Sequence, residues 1–264
     1  MPRFDPHPQR RPAVVAGASS GIGLATAQVL ATAGHPVALG ARRVSACEET
    51  AATIRAGGGE AVALPLDVTD GDSVKGFAAA AEEALGPIEV VVSGAGDIDA
   101  ALIHEQDPDT FDQQVRVHLG GAQRLTAELV PPMIRRRRGD VVFLSSDVAR
   151  SHRPRMGGYV PAKTGLEAMV RTMQMELEGT GVRASMVRPG PTKTGMGTTW
   201  EADVATAVLQ DWVHWGLARH PYFLRASDVA AAVAAVIGTQ RGAQLTVVEV
   251  EPEAPLRDED PAAG

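Results

Sequence analysis

The chain has 264 residues, 44% of them hydrophobic, which is enough for one sizeable α/β core without a second domain. A formal charge of −7 argues against a nucleic acid or an anionic membrane as partner, and the single cysteine, Cys47, excludes an intrachain disulfide or a cysteine metal cluster. The opening residues carry no apolar signal core and no window approaches the ~18 apolar residues of a membrane span, so a cytoplasmic chain with no metal is expected.

Residues 1–12 are rich in proline and arginine, and 251–264 are proline-rich and acidic; both are expected to be unordered tails. Between them, short apolar runs at 13–16, 37–41, 61–66, 88–92, 141–144, 182–187 and 245–250 alternate with helical stretches. Those helices are expected from Gly21, over 45–56, from Asp70, from about Asp109, from Tyr159 and from Ser227. Seven strands separated by helices specify a single Rossmann-type α/β domain over 13–250, a doubly wound parallel sheet with helices on both faces. The run Arg135-Arg136-Arg137-Arg138 precedes Gly139, where it suits a helix C-terminus better than a phosphate grip.

The first turn, Gly17-Ala18-Ser19-Ser20-Gly21-Ile22-Gly23, follows a strand and opens a helix, so its backbone N–H groups can approach a pyrophosphate favoured by the helix N-terminus. At the end of the second strand, Arg42 and Arg43 stand where an acid would select NAD; arginine attracts a ribose 2′-phosphate, and the expected cofactor is NADP(H). Two surface arginines beginning a helix are the plainer alternative. Farther on, Ser146 ends the apolar run 141–144, Tyr159 lies thirteen residues downstream, and Lys163 falls one helical turn after it. A phenol beside an ammonium at a helix start is expected to have a lowered pKa and to act as a general acid or base, with the Ser146 hydroxyl at the carboxyl edge of the sheet.

Glycine turn and Ser146/Tyr159/Lys163 set together resemble the short-chain dehydrogenase/reductase family, over roughly residues 11–250. The resemblance implies that Asp67 and Val68 hold the adenine ring. Gly94, Ala95 and Gly96 would leave room for the cofactor, and Pro189, Gly190, Thr192 and Thr194 would fix the nicotinamide end. Lys163 would bind the nicotinamide ribose. The chain departs from the family pattern at Ala16, usually threonine, and at Ser93 and Gly94, usually asparagines. It departs also at His118, where asparagine usually carries a water-linked proton relay to the lysine. Three readings of His118 stand: a relay kept with a titration near pH 6.5, a broken relay, or a helix offset by one residue. The aromatics from Trp200 to Phe223 fall where the family has its substrate lid, or else they pack the body or a subunit contact.

The function so implied is hydride transfer between NADP(H) and a carbonyl or secondary alcohol, in a homodimer or homotetramer. Ser146 would bind the carbonyl oxygen, Tyr159 would give it a proton, and His118 would connect Lys163 to water. A dehydratase or epimerase of the same fold, and a nucleotide-binding sensor without turnover, are the alternatives.

Overall fold

The computed structural model describes residues 4–197 and 200–256. In chain order the elements are β1 (Ala13–Ala16), α1 (Gly21–Thr32), β2 (Val37–Ala41), α2 (Val44–Ala56), β3 (Ala61–Pro65), α3 (Gly71–Leu85) and β4 (Val90–Ser93). Then come α4 (Pro108–Val115), a π-helical turn (Arg116–Gly120), α5 (Gly121–Arg136), β5 (Gly139–Leu144), α6 (Tyr159–Glu176) and β6 (Val182–Pro189). The chain continues with β7 (Thr192–Lys193), α7 (Ala202–His214), β8 (Leu224–Arg225), α8 (Ala226–Gly238) and β9 (Val247–Val250).

Seven strands form one parallel sheet in the order β3-β2-β1-β4-β5-β6-β9, while β7 and β8 pair separately. The central strands β1, β4 and β5 are buried along their whole length because both faces are covered. Alternation along them divides the core in two. Val14, Val91, Val141 and Phe143 face α3, α5 and α6 through Phe77, Leu125, Met133 and Val170. Val15, Val92 and Val142 face α1, α2 and α8 through Leu30, Cys47, Val233 and Ile237. The strand order reverses between β1 and β4, and the cleft at their carboxyl ends is where an open α/β sheet binds ligands.

The helix expected from about Asp109 is real but interrupted. Asp107 caps α4 by accepting from the Thr110 N–H at 2.8 Å, Pro108 fills its first position, and the π-helical turn inserts before α5. That insertion rotates the side chains on either side of it, and functional residues gather at such turns.

The expected N-terminal tail is corrected in part: order begins well before residue 13. Arg11 is 4% exposed, pairs with Asp140 and donates to the Ile237 carbonyl at 2.9 Å, while Arg10 reaches Glu60 at 2.7 Å. Asp140 opens β5 as a buried carboxylate inside the sheet, and Arg183 on β6 approaches its other oxygen at 2.6 Å. An anion taken out of water needs those cations, so the polar composition of the segment is what docks it. At the other end Pro252 is buried and its carbonyl lies 3.2 Å from His220 Nε2. Residues 1–3 and 257–264 of the expected tails lie outside the described residues. Among the described residues no helix is long and apolar enough to cross a membrane, and no cluster of three His, Cys, Asp or Glu is placed to hold a metal ion.

Removing Asp140 would leave the buried Arg11 and the part-buried Arg183 without their shared carboxylate. Asp140→Ala is therefore expected to lower the unfolding free energy by about 3–5 kcal/mol, read from urea titration at an unchanged slope; a loss below about 1 kcal/mol would contradict this account.

Candidate active site

β5 ends at Leu144, and the chain leaves the sheet through Ser145 and Ser146, which are 3% and 7% exposed. Tyr159 is the first residue of α6 and Lys163 lies one turn later, so both side chains face the strand end. Lys163 Nζ donates to the Leu144 carbonyl at 2.7 Å and sits 5.5 Å from the centre of the Tyr159 ring. The Tyr159 phenol interacts with the Ser146 hydroxyl. The three residues singled out from spacing thus meet at the carboxyl edge of the sheet. Behind them Glu167 accepts from Ser145 Oγ at 2.6 Å and from Arg188 Nε and Nη2 at 2.8 and 2.6 Å, bracing the strand end against α6.

Proton affinities here differ from the expectation of a lowered phenol. Burial pushes Tyr159 up to about 12, and the Ser146 hydroxyl that favours the ionised phenol does not offset it. Burial also pulls Lys163 down to about 8, opposed by the Glu167 carboxylate. The spacing argument weighed the ammonium and the helix dipole but not desolvation, which only the closed tertiary surroundings impose. With its ammonium turned to the Leu144 carbonyl, Lys163 leaves Tyr159 a protonated phenol, the form a proton donor needs.

His118 lies in the π-helical turn, 3% exposed, its ring edge-on to Tyr159 with centroids 5.0 Å apart. Its Nε2 is 2.6 Å from the Asp97 carbonyl, the distance of an N–H donor, and its Nδ1 is buried without a partner among the described residues. Gly96 makes room for the ring: a Cβ at that position would stand 2.4 Å from Cε1. Of the three readings of His118, a titration near pH 6.5 is the one these surroundings oppose. Burial, and then the charge of Lys163, pull the imidazole down to about 3, so it is neutral throughout the working range.

The residues expected to hold a nucleotide line the same edge. Gly17 has φ +84, and a Cβ there would strike the backbone of Gly94 and Ala95 at 2.8 Å. A Cβ on Gly23 would lie 2.2 Å from the Gly17 carbonyl oxygen, so the turn closes tightly on the helix it opens. Ser20 caps α1 without a side-chain hydrogen bond, and no acid stands in the first turn, which leaves that N-terminus suited to an anion. Ile22 packs into the core beneath. Arg43 Nη2 reaches over the turn to Ser19 and Ser20 Oγ at 3.3 and 3.2 Å, and Arg42 is exposed beside it. Asp67 accepts from the Thr69 N–H and hydroxyl at 2.9 and 2.7 Å, and Val68 is buried against Gly121. After β6, which ends at Pro189, the Gly190 N–H bonds the Val250 carbonyl and Thr192 Oγ1 donates to the Gly190 carbonyl, both at 2.8 Å. Thr194 comes to within 3.4 Å of the Cβ position of Gly21, so the segment after β6 folds back over the first turn.

Two residues of the site, Asp147 and Arg153, were not found from sequence. Asp147 follows Ser146, accepts from its Oγ at 3.0 Å, and pairs with Arg153, whose guanidinium carbon lies 4.4 Å from the centre of the Trp212 ring. Nothing in their spacing distinguishes them; the loop between β5 and α6 has to fold before they meet. The aromatic stretch divides. Trp200, which bonds the Ile98 carbonyl at 3.3 Å, and Trp212 pack with Val148, Met156 and Tyr159, whereas Trp215, Tyr222 and Phe223 are 66%, 43% and 51% exposed. A cleft of about 390 Å³ separates Ile98 and Ala100 from Trp200 and Val204.

A histidine whose native pKa lies below its unfolded value binds fewer protons folded than unfolded, so the stability it permits above pH 6.5 is lost as pH falls toward 3. His118→Asn is expected to reduce the drop in Tm between pH 7 and pH 4. Parallel melting curves for the two proteins would show that the imidazole is not held neutral.

The family profile described as short chain dehydrogenase matches residues 11–205. Glycine betaine reductase of Emericella nidulans is 40% identical over 193 residues, 72% of this chain, although the chain spans only 15% of that protein's length. Among solved structures, an alcohol dehydrogenase from the archaeon Thermococcus sibiricus complexed with 5-hydroxy-NADP has a TM-score of 0.78 at 28% identity, covering 94% of this chain and 99% of its own. A short-chain dehydrogenase/reductase from Burkholderia phymatum in complex with NAD superposes with a TM-score of 0.78 over 94% of this chain and 90% of its own; at 24% identity it shows the fold alone. The chain belongs to the short-chain dehydrogenase/reductase family of oxidoreductases.

Proposed function

We propose that the chain transfers hydride between NADP(H) and a carbonyl or secondary alcohol, as a cytoplasmic homodimer or homotetramer. The observation that carries this reading is the convergence of Ser146, Tyr159 and Lys163 at the sheet edge opposite the glycine turn. The residues fit a dinucleotide: the turn is too tight for any Cβ at Gly17, and the first turn of α1 is free of side-chain carboxylates. Gly17 to Gly23 would hold the pyrophosphate, Asp67 and Val68 the adenine side, and Gly94 to Gly96 the floor. Pro189, Gly190, Thr192 and Thr194 would hold the nicotinamide end, and Lys163 the adjoining ribose. Once bound, the nicotinamide supplies or takes the hydride. Ser146 orients the carbonyl oxygen and Tyr159, a protonated phenol here, donates to it. Trp200 and Trp212 exclude water from the apolar side. His118, neutral and edge-on to Tyr159, holds the loop after β4 by its bond to Asp97 and packs the phenol in place rather than carrying a proton.

Relatives of this fold occur with either dinucleotide, so the choice of NADP rests on Arg42 and Arg43. Neither end of β2 offers an acid to the ribose, and Arg43 already crosses the turn to both serines.

Fluorescence titration should show NADPH binding at least tenfold more tightly than NADH, and Arg42→Asp together with Arg43→Ser should abolish that difference; equal affinities in the wild type would remove the NADP assignment. NADPH absorbance across a carbonyl panel tests the reaction. Tyr159→Phe should keep NADPH affinity within about threefold and lose at least a hundredfold in turnover, since general-acid catalysis contributes about 10²–10⁴. An active Tyr159→Phe protein would place the proton donor elsewhere.

A further inference from the structure

Each time Tyr159 gives its proton to a substrate oxygen it must recover one, and the surroundings restrict from where. The Lys163 ammonium is 6% exposed and donates to the Leu144 carbonyl. Beyond it His118 is sealed, with Nε2 committed to the Asp97 carbonyl and Nδ1 buried. On the other flank the Ser146 hydroxyl stands beside both the phenol and a carboxylate. The phenol interacts with the Ser146 hydroxyl, Ser146 Oγ donates to Asp147 Oδ1 at 3.0 Å, and the Asp147 side chain keeps 14% of its surface open.

We propose that Asp147 is the proton-exchange group of this site, passing protons between solvent and Tyr159 through the Ser146 hydroxyl. The role rests on the hydride-transfer reading above. When the Tyr159 O–H bond breaks toward the substrate oxygen, a phenolate is left. It takes the Ser146 proton as Ser146 takes one from the Asp147 carboxyl, and the resulting carboxylate is reprotonated by water or a dissolved acid. The alcohol-oxidising direction runs the same steps backward, and no electrons move in either.

The groups facing Asp147 suit it to this exchange. Arg153, from the same loop, pairs with its second oxygen and keeps the carboxylate from turning away from Ser146, while the Asp147 charge raises the proton affinity of Glu251 after β9 and of Tyr159 on α6. Burial wins over the Arg153 charge, so the carboxyl is held above the ordinary carboxylate range and takes up a proton more readily than an exposed aspartate. Trp212 under the guanidinium ties this arrangement to α7.

Two measurements test the proposal, with Asp147→Asn and Asp147→Ala as variants. First, NADPH absorbance is followed by stopped flow with an activated aryl ketone. Asp147→Asn should show a burst of about one turnover per site at the wild-type rate, because Tyr159 begins protonated, and then a steady state at least tenfold slower. Formate should restore the Asp147→Ala steady state at least threefold in a saturating manner. A burst slowed as much as the steady state, a change in KM alone, or no response to formate would make Asp147 and Arg153 a structural or substrate-binding pair and overturn the proposal.

The second measurement needs no substrate. Tyr159 and Tyr222 are the only tyrosines, so Tyr222→Phe leaves Tyr159 as the sole phenol. After an alkaline jump, tyrosinate absorbance in the first milliseconds should rise at least fivefold more slowly when Asp147→Asn is added. Equal rates would overturn the relay even in an active enzyme. A slowed rise in a protein that oxidises no NADPH would support the route to Tyr159 and defeat the hydride-transfer reading instead.

Discussion

The ammonium of Lys163, buried at the end of β5 and bonded to the Leu144 carbonyl, is the interaction on which the rest of the site depends. A buried cation needs a partner, and the last carbonyl of a strand, just past its ladder, is one. That bond sets the height of α6 over the sheet and so brings Tyr159 to Ser146. It also explains why Glu167, Arg188 and Ser145 are linked behind the strand: they hold the point where β5 becomes loop and bring a compensating anion within reach of the lysine.

Buried charge serves two purposes at the two edges of the sheet. At the amino edge, Arg11, Asp140 and Arg183 draw the N-terminal segment onto the body, with the Arg11 and Asp140 side chains only 5% and 6% exposed. Arg11 and Asp140 are closed to solvent, and their effect is on stability. At the carboxyl edge, Asp147 and Arg153 are also paired, but Asp147 keeps an open side and a hydroxyl neighbour that is not a charge. The same physics, an ion held in low dielectric, locks one end and leaves the other able to exchange a proton.

His118 shows how far a single substitution carries when its surroundings are known. Imidazole is larger than a carboxamide, and Gly96 is the only kind of residue that clears its ring. Having been fitted, the ring is dry and next to a cation, two influences that both favour the neutral form. A residue type whose unperturbed pKa suits a switch near neutrality is thereby made a packing and hydrogen-bonding group.

Much of this was present in the chain itself. Short apolar runs gave the seven parallel strands, because a strand covered on both faces is mostly apolar, and the glycine turn and the Ser146, Tyr159 and Lys163 spacing are local patterns that strand and helix geometry convert into positions. Proton affinities were not legible. The phenol was expected to fall and instead rises to about 12, and the histidine, which one of three readings had titrating near 6.5, falls to about 3. Asp147 and Arg153, hidden in a loop, gave no signal, and neither did the docking of Arg11 on Asp140. Sequence by itself determined which side chains stand at the strand ends, since that follows from nearest-neighbour periodicity along the backbone. Only the tertiary structure decided how much water each of them keeps and which distant charge it faces, and desolvation and Coulomb interaction depend on those alone.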